Sequence, residues 1–355
     1  MSHRIRLATF IAATTILLAS CSTTYITRSA DVPSSIELEE VAGAIHAAEQ
    51  ALLAGDAHAA LDWMRVASEL DGMPSDQRVK VQNLLEISAD RFLADLDDDE
   101  APPEALAEIL DLDLPRQLAV TGAMRAVHLW VEREEYYEAY ALIERIDKRF
   151  PAHHLRAEAG RLLVESGLGL SEMDSGWFDS TRDHAFACLE YCSINYPLTR
   201  RGDLVYRRLA EMYEEDQRWH FAIGRHEELT QNYPTSPLVP YSLARIPHLL
   251  LASIESPEYD RNALIQARKD LGSWLGSYPG HELTGQVRED LTDALVRLTI
   301  SDLGIADFYQ TVGVAEGARF HASRALSQAR LAGDEKRTNK AQAVLDSLPA
   351  VVDAR

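Results

Sequence analysis

"NYPLTRRGDLVYRRLAEMYEEDQRWHFAIGRHEELTQNYPTS", residues 195–236, opens and closes on Asn-Tyr-Pro around a helix-sized interval. Proline lacks an amide hydrogen and its ring blocks the preceding turn, so each tripeptide stops a helix. The tyrosine before it is placed to pack back on the helices just finished. The interval therefore reads as one unit of paired helices, and the tripeptide as its end.

The punctuation recurs. Phe150-Pro151, Tyr196-Pro197, Tyr233-Pro234 and Tyr278-Pro279 place prolines 46, 37 and 45 residues apart, near the roughly 34-residue period of a tetratricopeptide repeat plus extra loop. Within the opening stretch, Tyr206, Leu209, Ala210 and Tyr213, then Ala222 and Pro234, follow that repeat's pattern in spacing and residue size. Small residues at Ala210 and Ala222 let the paired helices approach. His226 stands where a large apolar residue is expected, which predicts loose packing there.

Working outward, "IELEEVAGAIHAAEQALLAGD" puts Ile36, Val41, Ile45, Ala48 and Leu52 near one helical face, with Gly55-Asp56 as the stop before a second helix carrying Ala60, Met64 and Ala67. Residues 117–151 read as another pair, with Trp130 closing the first helix and Ala139, Ile143 and Ile146 on the second. Residues 75–115 fit poorly, and "DLDDDEAPPEALAEILDLDLP" reads as a solvated loop around a short helix. "GLGLSEMDSGWFDS", 167–180, and "IESPEYDRN", 254–262, read as loops, and Pro247 as a kink. No alternating stretch is long enough for a sheet. The expectation is an all-α superhelix of about five to six tetratricopeptide-type pairs, grouped as 35–197 and 198–348, because one pair cannot bury its apolar face alone. Its concave groove is expected to be lined by the first helix of each pair.

The 355 residues carry 35 basic and 56 acidic side chains, a formal charge of −21. Arg4 and Arg6 are the only Lys, Arg, Asp or Glu among the first twenty, so the remainder is more acidic still. Such a surface repels phosphate backbones, which argues against nucleic-acid partners. The basic start "MSHRIR", the apolar run Leu7–Leu18 and "LLASC" ending at Cys21 read as a signal peptide, 1–20, followed by a flexible tether, 21–34. This resembles the bacterial lipobox, which implies acylation of Cys21 and anchoring to a membrane. Ser22 after the cysteine implies the outer membrane.

The segment 263–326 sharpens the comparison: a helix ending at Tyr278-Pro279, a long helix 284–303, and Ile305-Ala306-Asp307-Phe308-Tyr309 followed by Gly313. With lipobox and repeats, it resembles the BamD family, lipoproteins of the outer-membrane β-barrel assembly machine. The resemblance implies a non-enzymatic scaffold without cofactor: N-terminal repeats receive unfolded β-barrel clients, and the last repeat docks the barrel-forming subunit through basic side chains. Arg319, His321 and Arg324 occupy that helix here, with histidine in place of the main arginine. The chain is longer than typical members, and "LSQARLAGDEK" replaces the final tyrosine-proline. The alternative reading is a repeat lipoprotein coordinating peptidoglycan synthesis or envelope division.

Residues that could carry chemistry have plainer readings. His184, Cys188 and Cys192 are four apart on one helical stripe. The outer two stand roughly 12 Å apart along the axis, too far to share one metal, so the cysteines read as core and the histidine as rim. His153-His154 read as exposed residues starting a helix, Asp97 to Glu100 as a solvated acidic loop without calcium-ligand spacing, and Trp63, Trp130, Trp219 and Trp274 as mostly core. Trp177 falls in a loop.

Overall fold

The computed structural model describes residues 32–95, 103–173, 181–256 and 260–349, and every regular element among them is helical. Cys21, the acidic run 97–100 and Trp177 lie outside the described residues. Compact packing divides the chain into Met1–Gly122 and Ala123–Arg355, whereas the grouping at 197/198 was drawn on repeat type.

In the N-terminal unit, α1 (Val41–Ala54) and α2 (Ala57–Ser68) form the expected hairpin. Gly55, in the left-handed region at φ 81°, ends α1, and the Asp56 carboxylate accepts the Ala59 amide at 2.9 Å to start α2. Val41, Ala44, Ile45 and Ala48 meet Ala60, Leu61, Met64 and Ala67 in the interior. Helix α3 (Ser75–Asp95) packs on both, burying Val81, Leu85, Ala89 and Phe92. The expected short helix is α4 (Pro103–Glu108), continued by a 3₁₀ turn, Ile109–Asp111. Among the described residues 103–114 the segment is not solvated: Ala105, Leu106, Ile109, Leu110, Leu112 and Leu114 are buried. The apolar residues between the acidic ones outweighed the charge.

In the second unit α5 (Arg116–Glu132), which begins before the division, leads to α6 (Tyr136–Arg149), α7 (Arg156–Glu172), α8 (Thr181–Asn195), α9 (Gly202–Glu215), α10 (Trp219–Asn232), α11 (Val239–Ala252), α12 (Arg261–Ser277), α13 (Thr284–Thr311), α14 (Ala315–Ala332) and α15 (Glu335–Ser347). From α6 onward each helix packs on the next, and first helices also touch across hairpins, α7 on α9 and α11 on α13. Among the described residues the hairpins α7/α8, α9/α10, α11/α12 and α13/α14 follow one another, of the tetratricopeptide type.

Helix α7 overrides the loop expected from residue 167 by running to Glu172. Gly167 and Gly169 cost about 1 kcal/mol each in helix propensity, and packing offsets it. A Cβ on Gly167 would lie 2.7 Å from Leu189 Cδ2, and one on Gly169 would enter the Tyr136 ring. Helix α11 runs through Pro247, which is buried. Helix α11 ends at Ala252 and α12 begins at Arg261, two residues inside the loop expected over 254–262.

Candidate protein-binding surface

The repeat ends share one geometry. Phe150, Tyr233 and Tyr278 sit at φ −129° or −130° with ψ of 54–68°, and their amides still donate to the carbonyl four residues back, at 2.7–2.9 Å. Tyr196 does the same to Cys192 at 2.8 Å. Each chain leaves its helix at the aromatic because the following proline excludes the helical conformation.

Two of these tyrosines then lock onto the first helix of their own pair at a glycine. A Cβ on Gly160 of α7 would lie 2.8 Å from the Tyr196 ring, and one on Gly202 of α9 would overlap the Tyr233 hydroxyl. That hydroxyl donates to the Thr199 carbonyl at 2.7 Å. The Tyr196 hydroxyl donates to Asp147 Oδ2 at 2.6 Å, and the Tyr191 hydroxyl to the same oxygen at 2.8 Å. Asp147 Oδ1 accepts from Arg156 at 3.1 Å and lies 3.3 Å from His153 Nε2. His153 is therefore a buried residue before α7, not an exposed one within it, and its burial lowers its pKa.

Tyr206, Leu209, Ala210, Tyr213 and Ala222 are all buried, and Pro234 is exposed at the turn. The Tyr206 hydroxyl donates to the Ser193 carbonyl at 3.2 Å, and that of Tyr213 to Glu190 at 2.6 Å, so both bond to α8. His226 is fully buried, which corrects the expectation of loose packing. Its Nδ1 is 3.1 Å from the Ser242 hydroxyl and its Nε2 3.3 Å from Glu214. Arg245 also grips Glu214, through Nη2 and, at 3.3 Å, through Nε. Burial raises the Glu214 carboxyl, and these hydrogen bonds more than offset it, holding it below the ordinary carboxylate range.

This pairing belongs to a strip of polar side chains joining successive first helices. His128 Nε2 of α5 lies 2.6 Å from Glu158 of α7, and Arg208 of α9 donates to the Ser171 carbonyl of α7 at 3.4 Å. Arg207 of α9 lies over the Tyr241 ring of α11 at 5.0 Å, and His248 of α11 is 3.0 Å from Asp290 of α13. These side chains are half-buried. They hold the first helices together and present donors and acceptors in a row, the equipment for binding an extended chain without bond chemistry.

On the last hairpin, Arg319 and Arg324 line a shallow depression of about 470 Å³ with the exposed Phe320. The Arg324 guanidinium stands 5.5 Å from the Phe320 ring, and Arg319 donates to the Pro349 carbonyl. His321 turns inward: its Nδ1 is 2.7 Å from Asp302, and its ring stacks on Tyr309 at 5.7 Å. Asp302 is fully buried and also pairs with Arg261 at 2.8 Å and Arg324 at 3.7 Å. Thus Arg319 and Arg324 share the outer face, while His321 braces α14 against α13. The hub at Asp302 gave no signal in the sequence, since its partners lie 19 to 41 residues away.

Cys188 and Cys192 are free and buried, and His184 stacks on Tyr137 at 4.0 Å. Burial pushes the Cys192 thiol up to about 12 and the Cys188 thiol well above the ordinary range. Trp130 and Trp274 are buried, Trp63 and Trp219 half-buried.

No family model and no curated protein matches the sequence. Among solved structures, the chain is similar to the crystal structure of the P58(IPK) TPR domain, with 14% identity over 86% of this chain and 98% of that one and a TM-score of 0.25. It is also similar to a circular tandem repeat protein with novel repeat topology and enhanced subunit contact surfaces, with 16% identity over 87% of this chain and 75% of that one and a TM-score of 0.19. Superpositions that loose add nothing to the fold, which rests on the hairpins, their shared caps and their glycine contacts: a tetratricopeptide-type helical repeat.

Proposed function

We propose that the chain is a non-enzymatic lipoprotein scaffold of the BamD type, anchored through Cys21 at the periplasmic face of the outer membrane, where it assists insertion of β-barrel proteins. The observation that carries this reading is the polar strip from His128 to Asp290, formed by the first helices of consecutive pairs. An extended client segment lying along first helices exchanges backbone and side-chain hydrogen bonds with such a row. Arg319 and Arg324 beside Phe320 form the basic face toward the barrel-forming subunit, with His321 setting the angle of their helix.

Pull-down of the acylated protein tests this directly. Recovery of the barrel-forming subunit, lowered roughly tenfold by Arg319→Glu with Arg324→Glu, is the expected result. Recovery of cell-wall synthases in its place sinks this reading in favour of the peptidoglycan alternative. Mass spectrometry of the N-terminal peptide is expected to find Cys21 acylated, and an unmodified cysteine removes the anchor. Depletion of the protein is expected to lower barrel proteins in the outer membrane.

A further inference from the structure

We infer that the outer stripe of α13 is a self-association surface whose occupant is a second copy of this chain. Val296, Ile300, Gly304, Phe308 and Val312 follow one another at intervals of four along the end of this helix, with Val312 at its cap. Phe308 is 60% exposed, Val312 50% and Ile300 38%; Val296 is half-buried. Gly304 is open: a Cβ there would meet nothing within 4 Å. This inference does not rest on the proposed function.

The order of residues identifies the occupant. Read outward from Gly304, the stripe carries a large apolar residue four positions away on either side, then a valine eight positions away on either side. Two antiparallel copies crossing at their glycines set Phe308 of one, roughly 6 Å along the axis, against Ile300 of the other, and Val312 against Val296. Such a patch is its own complement, the requirement for a two-fold contact. Ridges of residues four apart pack at crossing angles of about −50°, and a glycine at the crossing allows close approach.

Charge and size set its strength. None of the five positions is charged, while Asp293 and the exposed Asp307 beside them give each copy like charge, in a chain with a formal charge of −21. Five side chains per copy cover far less than the roughly 800 Å² per partner of a stable interface. The dimer is therefore weak and reversible. Salt strengthens it, because screening acts on the repulsion between acidic copies.

The test uses the full chain. In Gly304→Cys the two Cα atoms at the crossing come about 4–5 Å apart, within disulfide range. Air oxidation catalysed by copper-phenanthroline is expected to give roughly tenfold more covalent dimer than Leu331→Cys, which is 71% exposed on α14. Adding Phe308→Glu should abolish the dimer, adding Phe308→Leu should keep it, and raising salt should increase it. Equal cross-linking of Gly304→Cys and Leu331→Cys, or indifference to Phe308→Glu, overturns the inference. A dimer fraction that falls with salt does so too, and points to a basic partner helix. Sedimentation of the unsubstituted chain at about 100 µM gives an independent answer: a purely monomeric mass also overturns it.

Discussion

Gly202 carries no side chain because the Tyr233 hydroxyl occupies its place. Gly202→Ala forces that hydroxyl off the Thr199 carbonyl, and the expected cost is about 1–2 kcal/mol despite alanine's better helix propensity. Tyr233→Phe removes the same hydroxyl, so in a double-mutant cycle by urea denaturation the combined loss should fall short of the sum by about 1 kcal/mol; additive losses refute the contact. Glu214 makes a second prediction at this scale. Its folded-state pKa is depressed, so its stabilisation is present above the unfolded value of about 4.3 and lost as pH falls through the folded one. Wild-type stability should therefore drop as pH falls below about 5, and Glu214→Gln should flatten the curve while costing about 2 kcal/mol at pH 7. Parallel curves refute that role. Cys188 and Cys192, buried and with raised pKa, should both resist a thiol reagent at pH 8 until the chain unfolds. None of these partners is visible locally: Gly202 and Tyr233 are 31 residues apart, and Glu214 and Arg245 likewise. His226 was misjudged for the same reason, since an isolated histidine in an aromatic's place reads as a defect until Ser242 and Glu214 are seen on either side.

At the level of helices, ends were easier to read than lengths. Proline and a preceding aromatic act within one turn, so the ends of α6, α8, α10 and α12 follow from four dipeptides. The sequence alone ends helix α7 early because Gly167 and Gly169 disfavour helix intrinsically, and Leu189 and Tyr136, which reward their smallness, come from other helices. The segment 103–115 reads as solvated from its charge, but its acidic residues face out around a buried apolar set. Asp147 ties α6 to the end of α8 and the start of α7. Its removal in Asp147→Ala leaves Arg156, Tyr191 and Tyr196 without their acceptor, at an expected cost of about 3–4 kcal/mol against about 1 kcal/mol for Tyr196→Phe alone. Equal costs by denaturant titration would show that the tyrosine contact dominates the hub.

For the whole molecule, the division at Gly122/Ala123 and the neighbour-only packing of hairpins set how stability is distributed. Met64→Ala, at a fully buried site of the N-terminal unit, should cost about 2–4 kcal/mol, and hydrogen exchange should accelerate in α1 to α3 while protection in α9 to α13 stays unchanged. Uniform loss of protection would mean that the chain unfolds as one unit. The sequence by itself determined the class of molecule: helical period, proline stops and small residues at the contact positions are local rules that act within a few residues of chain. Tertiary structure decided what those helices present outward. Whether Arg324 lines a surface while His321 turns to Asp302, which ring fills the space left by a glycine, and which face of α13 stays uncovered depend on groups tens of residues apart. Such groups meet only after the apolar faces have been buried, and no local pattern encodes their distance.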